Sequence, residues 1–345
     1  MPKAELHVHL EGSLQAETAL ELAQRHGLEA TLPTTDPDEL AEWFVFTDFA
    51  HFVDVILAVQ NLIRTADDFA LVTYQAGAEM AAQNIRYREL TVSPYNHTDV
   101  LDKGLSIDDI LEGLDDGRRR AERDFGVRMR WVFDVARNFC FTGEGRAYDP
   151  TPAETTLRFA LAGRDHGVIA LGLGGDESGC PPEPFGPVFD IAVAEGLKSV
   201  PHAGESLGTF GAPHVRGSID VLHADRIGHG IGAINDPRLL TTLLDRQIPL
   251  EICPTSNLKT RVCREIEQHP LPHLDRMGLM VTINTDDPAV FGTTLEREYQ
   301  LLADTFGYDA AGIVRLARNS FLATLCEPEL RASLLTEFDA WAASR

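Results

Sequence analysis

The stretch Lys3-Ala4-Glu5-Leu6-His7-Val8-His9-Leu10-Glu11-Gly12-Ser13 sets the reading of the whole chain. Its first part, Ala4–His9, is a short β-rich run that ends on two histidines one residue apart. Side chains at i and i+2 share a face of a strand, so both imidazoles point the same way. Seven more such runs follow: Ile85–Val92, Arg128–Val135, Val168–Gly174, Lys198–Ala203, Arg226–Gly230, Pro249–Cys253 and Leu279–Thr285. Helical patterns lie between them. Ile107, Ile110, Leu111 and Leu114 keep helical spacing behind a possible Ser106 cap. Thr151-Pro152-Ala153-Glu154 reads as a capping box, with Gly167 as the stop. Strand and helix alternating eight times predicts a parallel sheet closed into a (β/α)8 barrel, an α/β fold.

The 345 residues suit one such barrel, and we read residues 1–345 as a single domain. The gap between the first two strands is too long for one helix. The surplus, about residues 14–84, predicts extra helices inserted over the barrel mouth. Phe44, Phe46, Phe49 and Phe52 make that insertion aromatic-rich, which suits core packing or an apolar subsite in which Phe49 and Phe52 meet substrate. The formal net charge of −23 would repel a phosphate backbone, so nucleic acid is not expected as a partner. No apolar run is long enough for a membrane span, and the first residues show no secretory pattern. The five cysteines have no CxxC spacing and suit buried thiols in a reducing cytoplasm.

Chemistry-bearing residues recur at the ends of the other strands. The fifth run ends in His202-Ala203-Gly204-Glu205, the sixth in Gly228-His229-Gly230, and the eighth in Thr285-Asp286-Asp287-Pro288. Catalytic groups of such barrels sit at the C-terminal ends of the strands. Three His and one Asp are a plausible set for zinc with room for water. The only lysines are Lys3, Lys103, Lys198 and Lys259, and none lies on the fourth run. A lysine bridging two metals is therefore not available there, and one metal is expected.

The run PKAELHVHLEGS, followed by HAGE, RIGHG and INTDDP, resembles the adenosine/adenine deaminase family of the amidohydrolase superfamily from Lys3 to about Tyr299. The resemblance implies a hydrolase that removes the 6-amino group of an adenine ring, with an adenine nucleoside as its small-molecule partner. It implies one Zn2+ per chain held by His7, His9, His202 and Asp286. His229 would take the proton of the attacking water, with Asp286 touching that water. Glu205 would protonate ring N1, Asp287 would bond N7, and the Gly175 N–H would bond N3.

Two positions depart from adenosine deaminases. Glu11 replaces the Asp that would meet the ribose 5′-hydroxyl, and the strand-four motif reads Gly172-Leu173-Gly174-Gly175-Asp176-Glu177 in place of DLAGDE. Gly228, where adenine deaminases carry Asp, argues against free adenine. Val45–Phe52 and Cys253-Pro254-Thr255-Ser256-Asn257 also resemble aminodeoxyfutalosine deaminases, whose substrate is 5′-extended. Adenosine and such a nucleoside are the two candidate substrates. A different mononuclear amidohydrolase, or a barrel that merely binds purines, are the rival classes. The other eight histidines (His26, His51, His97, His166, His214, His223, His269, His273) are expected at surfaces or helix ends. Asp176 and Glu177 read as rim charges. Arg137 and Tyr148 are candidates for the distal part of a substrate, and His214 could face the site.

Overall fold

The computed structural model describes residues 1–143 and 146–344, apart from the side chains of residues 49 and 50. Eight parallel strands form the barrel: β1 Lys3–His9, β2 Ile85–Val92, β3 Arg128–Ala136, β4 Val168–Gly174, β5 Lys198–Ala203, β6 Ile227–His229, β7 Leu250–Ile252 and β8 Val281–Ile283. Each strand pairs with the next in chain order. The seam between β8 and β1 is closed just beyond β8, where His9 N–H donates to Asp286 O at 2.8 Å and Asp286 N–H to His7 O at 3.1 Å. The expected eight-stranded (β/α)8 barrel is the observed fold.

Three strands are shorter than their sequence runs suggested. The reason is backbone geometry at their ends. His229 and Asp286 are the last paired residues on their runs and take φ of 60° and 68°, a left-handed conformation after which the chain turns out of the sheet. Cys253 instead caps a helix.

Fifteen helices surround the sheet among the described residues: α1 Ala16–His26, α2 Pro37–Phe44, α3 Phe49–Leu62, α4 Ala66–Ala82, α5 Ile107–Phe125, α6 Thr151–Ala162, α7 Gly186–Ala194, α8 Gly211–Asp220, α9 Pro237–Arg246, α10 Pro254–Lys259, α11 Leu271–Arg276, α12 Pro288–Phe291, α13 Leu295–Asp304, α14 Ala310–Leu322 and α15 Pro328–Ala343. The insertion after β1 is real but shorter than expected. Helices α1–α3 are the addition, whereas α4 packs against α5 and β2 as an ordinary barrel helix. Ser106 caps α5 in a reciprocal box with Asp109, as its spacing implied. Thr151 does not cap α6. It is the first helical residue, and its N–H is taken by the Asp149 carboxylate at 2.9 Å. Gly167 ends a 3-10 turn that follows α6, with φ of 92°.

The main apolar core fills the space between sheet and helices. Inside the barrel, Val132, Ala170 and Val200 form a separate small cluster on three adjacent strands. Helices α4 and α5 pack against each other through glycines. A Cβ built on Gly117 would lie 2.5 Å from both Ala70 O and Thr73 Cβ. Gly117→Val should therefore overpack this seam and cost ~1–3 kcal/mol. Urea unfolding followed by circular dichroism reads this as a lowered midpoint, and an unchanged midpoint would contradict the tight seam.

Candidate active site

The strand ends bring His7, His202, His229 and Asp286 together, each offering one ligand atom within 4.8 Å of the others. His9 joins through Asp286 and Asp287. Nε2 of His7 and of His9 lie 3.4 Å and 3.3 Å from Asp286 Oδ1. His9 Nε2 and His202 Nε2 are 3.3 Å apart. His7 Nε2 is buried without a hydrogen-bond partner. Imidazole nitrogens and a carboxylate oxygen converging in a buried space, one of them orphaned, fit a divalent metal. His7 and His202 come from β1 and β5, and the left-handed backbone at Asp286 and His229 turns both into the barrel.

A surrounding layer orients these groups. His7 Nδ1 lies 3.1 Å from Glu251 Oε2, which leaves Nε2 for the cluster. Glu251 is in turn gripped by Arg226, which also pairs with Glu89 and donates to Ala323 O at 2.9 Å. Ser256 Oγ donates to Asp286 Oδ2 at 2.7 Å. Asn257 Nδ2 is 3.2 Å from His229 Nδ1, and the buried His269 holds the Asn257 amide oxygen at 3.1 Å. His229 Nε2 therefore faces Glu205 Oε2 at 4.0 Å and Asp286 Oδ2 at 3.8 Å.

The electrostatics divide the proton-handling groups. Burial, helped by the positive His7, lowers His229 to about 4, so its imidazole is neutral near pH 7. Glu205 stands deep in the mouth with 31 % of its side-chain surface still open. Seclusion from bulk water, then the charges of Asp286 and Glu177, push its carboxyl up to about 8. Burial likewise raises Asp287 to about 7, against the pull of His9. One basic ring, a carboxyl that keeps its proton at neutral pH and a second that titrates there can serve acid–base chemistry on one heterocycle.

The remaining expected residues divide. Gly175 has φ of 93° at the end of β4, where only glycine is relaxed. Phe52 packs against Phe46 and, stacked, against Phe291 of α12, four residues beyond Asp287. The Phe49 side chain lies outside the described residues. Glu11 is buried, and its Oε1 is already 3.0 Å from His97 Nε2.

Glu177 is not a rim charge. It is buried and accepts from Gly204 N at 2.7 Å, with His214 Nδ1 at 3.2 Å, bracing the turn that carries Glu205. Arg137 does not reach toward a substrate. Its buried guanidinium donates to the carbonyls of Leu173, Gly174, Cys180 and His202, tying β4 to β5. Tyr148 packs between Phe141 and Phe185. His97, His214 and His269 are buried, not at surfaces, because each meets a buried partner from another element.

Sequence reasoning missed the Glu251–Arg226–Glu89 relay, Ser256, Asn257, Gly12 and Asp134. A charged residue inside a strand that both faces should bury was the available signal. Gly12 lies against Asp287, whose Oδ1 would sit 1.8 Å from a Cβ built there. Asp134 on β3 leans over Gly172 and Gly174. Its Oδ1 is buried without a partner, and burial raises the carboxyl to about 7.

Comparison with known proteins agrees with this geometry. The family model described as Adenosine deaminase matches residues 2–341. An aminodeoxyfutalosine deaminase of Streptomyces avermitilis is 43% identical over 346 residues, covering 100% of this chain and 92% of the relative. The crystal structure of an adenine deaminase from Arthrobacter aurescens superimposes with a TM-score of 0.88 at 32% identity, over 99% of both chains. An amidohydrolase from Burkholderia ambifaria with bound Zn gives a TM-score of 0.84 at 26% identity, over 100% of this chain and 92% of that one. The chain belongs to the adenosine deaminase family of metal-dependent amidohydrolases and is a hydrolytic deaminase of adenine-type substrates.

Proposed function

We propose that the chain removes the 6-amino group of a 5′-extended adenine nucleoside of the aminodeoxyfutalosine type, with one zinc held by His7, His9, His202 and Asp286. The observation that carries the reaction is the placement of Glu205 beside His229 Nε2, 4.0 Å away, at the edge of the ligand cluster. When bound, zinc would supply a hydrolytic nucleophile near neutral pH by lowering the pKa of water.

The chain's own residues do the rest. His229, neutral and fixed by Asn257, accepts the proton of the attacking water. Glu205 gives its proton to ring N1 as the oxygen adds to C6. His229 passes the proton it took to the 6-amino nitrogen, the C6–N bond breaks and ammonia leaves, and the proton of the newly added hydroxyl returns to Glu205, so the 6-amino group is exchanged for oxygen. Asp287, carrying a proton, holds N7, and the Gly175 N–H meets N3. Gly12 leaves the space that the Asp287 side chain occupies, and Gly175 the space taken by Asn138.

Two observations favour an extended substrate over adenosine. One carboxylate oxygen of Glu11 is already committed to His97, so it is not open to a ribose 5′-hydroxyl. The relative at 43% identity is named for aminodeoxyfutalosine. Ammonia release from a panel of aminodeoxyfutalosine, a 5′-thioether adenosine, adenosine and adenine tests this, and the extended nucleoside should give the highest kcat/KM. Preference for adenosine or adenine would overturn the substrate.

Glu205→Gln should bind metal and substrate yet lose about 10²-fold or more in kcat, since an amide cannot deliver the proton. Near-normal turnover would refute the role. Asp286→Ala should reduce both the zinc content, read by atomic emission, and activity; stoichiometric zinc would remove Asp286 from the ligand set. Glu177→Ala should lower kcat at unchanged zinc content, because the turn presenting Glu205 loses its brace. An unchanged kcat would show that the turn holds itself.

A further inference from the structure

Three groups of the cluster have an outer partner that fixes them. His7 Nδ1 has Glu251, His229 Nδ1 has Asn257, and Asp286 Oδ2 has Ser256. His202 differs. Its Nε2 faces His9 Nε2 at 3.3 Å, whereas its Nδ1 is buried with no hydrogen-bond partner among the described residues. A neutral imidazole that gives Nε2 to a metal carries its proton on Nδ1, and that N–H needs an acceptor.

A second unmatched atom lies in the same layer of the barrel. Side chains at i and i+2 share a strand face, so the residues two steps beyond the inner cluster of Val132, Ala170 and Val200 also point inward. These are Asp134, Gly172 and His202. Asp134 pairs with Gly172 across β3 and β4, and Gly172 with Val200 across β4 and β5. Asp134 is buried, and its Oδ1 likewise has no partner among the described residues. A Cβ built on Gly172 would lie 2.5 Å from that Oδ1, and one built on Gly174 would run into Oδ2. The carboxyl therefore lies over the inner face of β4, where neither residue has a side chain, and the next strand beyond it is the one that carries His202. Gly172 also stands where adenosine deaminases carry Asp, so in this chain the carboxyl in that space comes from the neighbouring strand. An unpaired acceptor and an unpaired donor, both buried and separated by glycines, each call for a partner.

We propose that Asp134 is the positioning residue of His202: its carboxyl accepts the Nδ1–H across Gly172, directly or through one bridging water, and so presents Nε2 to the metal. The proposal rests on the reading of His202 as a zinc ligand. It gives His202 the counterpart of what Glu251 is to His7, and it accounts for the two glycines in succession on the inner face of β4, since a side chain at either would displace the carboxyl.

Zinc affinity of the full-length protein, measured by chelator competition, tests this without recourse to turnover. Asp134→Ala should weaken zinc binding about 10- to 100-fold while the metal-free protein keeps its circular dichroism spectrum. Asp134→Asn keeps an oxygen acceptor in the same place and should stay near the wild type. Should Asp134→Ala fail to fold, Asp134→Leu, close in volume and unable to accept, takes its place in the same measurement. His202→Ala should weaken zinc strongly, and D134A/H202A should lose no more than H202A alone, because Asp134 acts through that ring. Unchanged zinc affinity in D134A, or losses that add in the double variant, would overturn the positioning role while leaving His202 a ligand. Wild-type zinc affinity in H202A would show that the ligand reading itself had failed, and the role of Asp134 with it.

Discussion

The site depends on one buried guanidinium. Arg226 sits inside the barrel fully out of solvent and joins Glu89 of β2 to Glu251 of β7. Without it, two carboxylates would face each other in a medium where charge is costly. With it, Glu251 has an oxygen left for His7 Nδ1, and that contact sets which ring nitrogen His7 presents to a metal. Glu89 is held further by Tyr87 and by the Leu325 N–H, each at 2.8 Å. The barrel centre thus exchanges part of the usual aliphatic packing for charges that fix the ligands.

Above that layer, small residues make the room. Gly172, Gly174 and Gly228 place no side chain where Asp134, His7 and His202 need space. Glycines at 12 and 175 do the same at the rim. Rigid clamps then hold what the glycines leave loose: Arg137 ties the β4 and β5 ends, and Glu177 grips the turn before Glu205. Activity at the mouth is consequently built on a scaffold whose polar groups are mostly spoken for before any ligand arrives.

Much of this was legible in the sequence. The eight strands announced themselves as short β-rich runs, and the residues at their ends as a convergent set, because the C-terminal edge of a parallel barrel is one surface. The family motifs supplied the roles. What stayed hidden was long-range pairing. His97 reads as a loop histidine until Glu11, 86 residues away, is found against it. Arg137 follows a strand and points toward a mouth by spacing alone, yet four carbonyls from other elements consume it. The insertion was overestimated because α4 carries no mark that distinguishes a barrel helix from an added one. Strands β6 and β8 were overestimated because positive φ at His229 and Asp286 is set by tertiary demand, and β7 because Cys253 already begins the next helix.

The seam between β8 and β1 has a consequence for how the chain acquires its site. The backbone bonds that close the cylinder run through His7, His9 and Asp286, and Leu6 N–H reaches Asn284 Oδ1 across 278 positions. Closure and assembly of the metal-binding cluster are one event, and it joins the first strand to be synthesised with the last. A nascent chain therefore carries an open sheet with two exposed edges until the eighth strand has been made, the state most prone to wrong pairing. A fragment ending before the eighth strand keeps His7, His9, His202 and His229 but lacks Asp286, Asp287 and the backbone bonds that bring the first strand to the last, so it carries the histidines without the closure that gathers them.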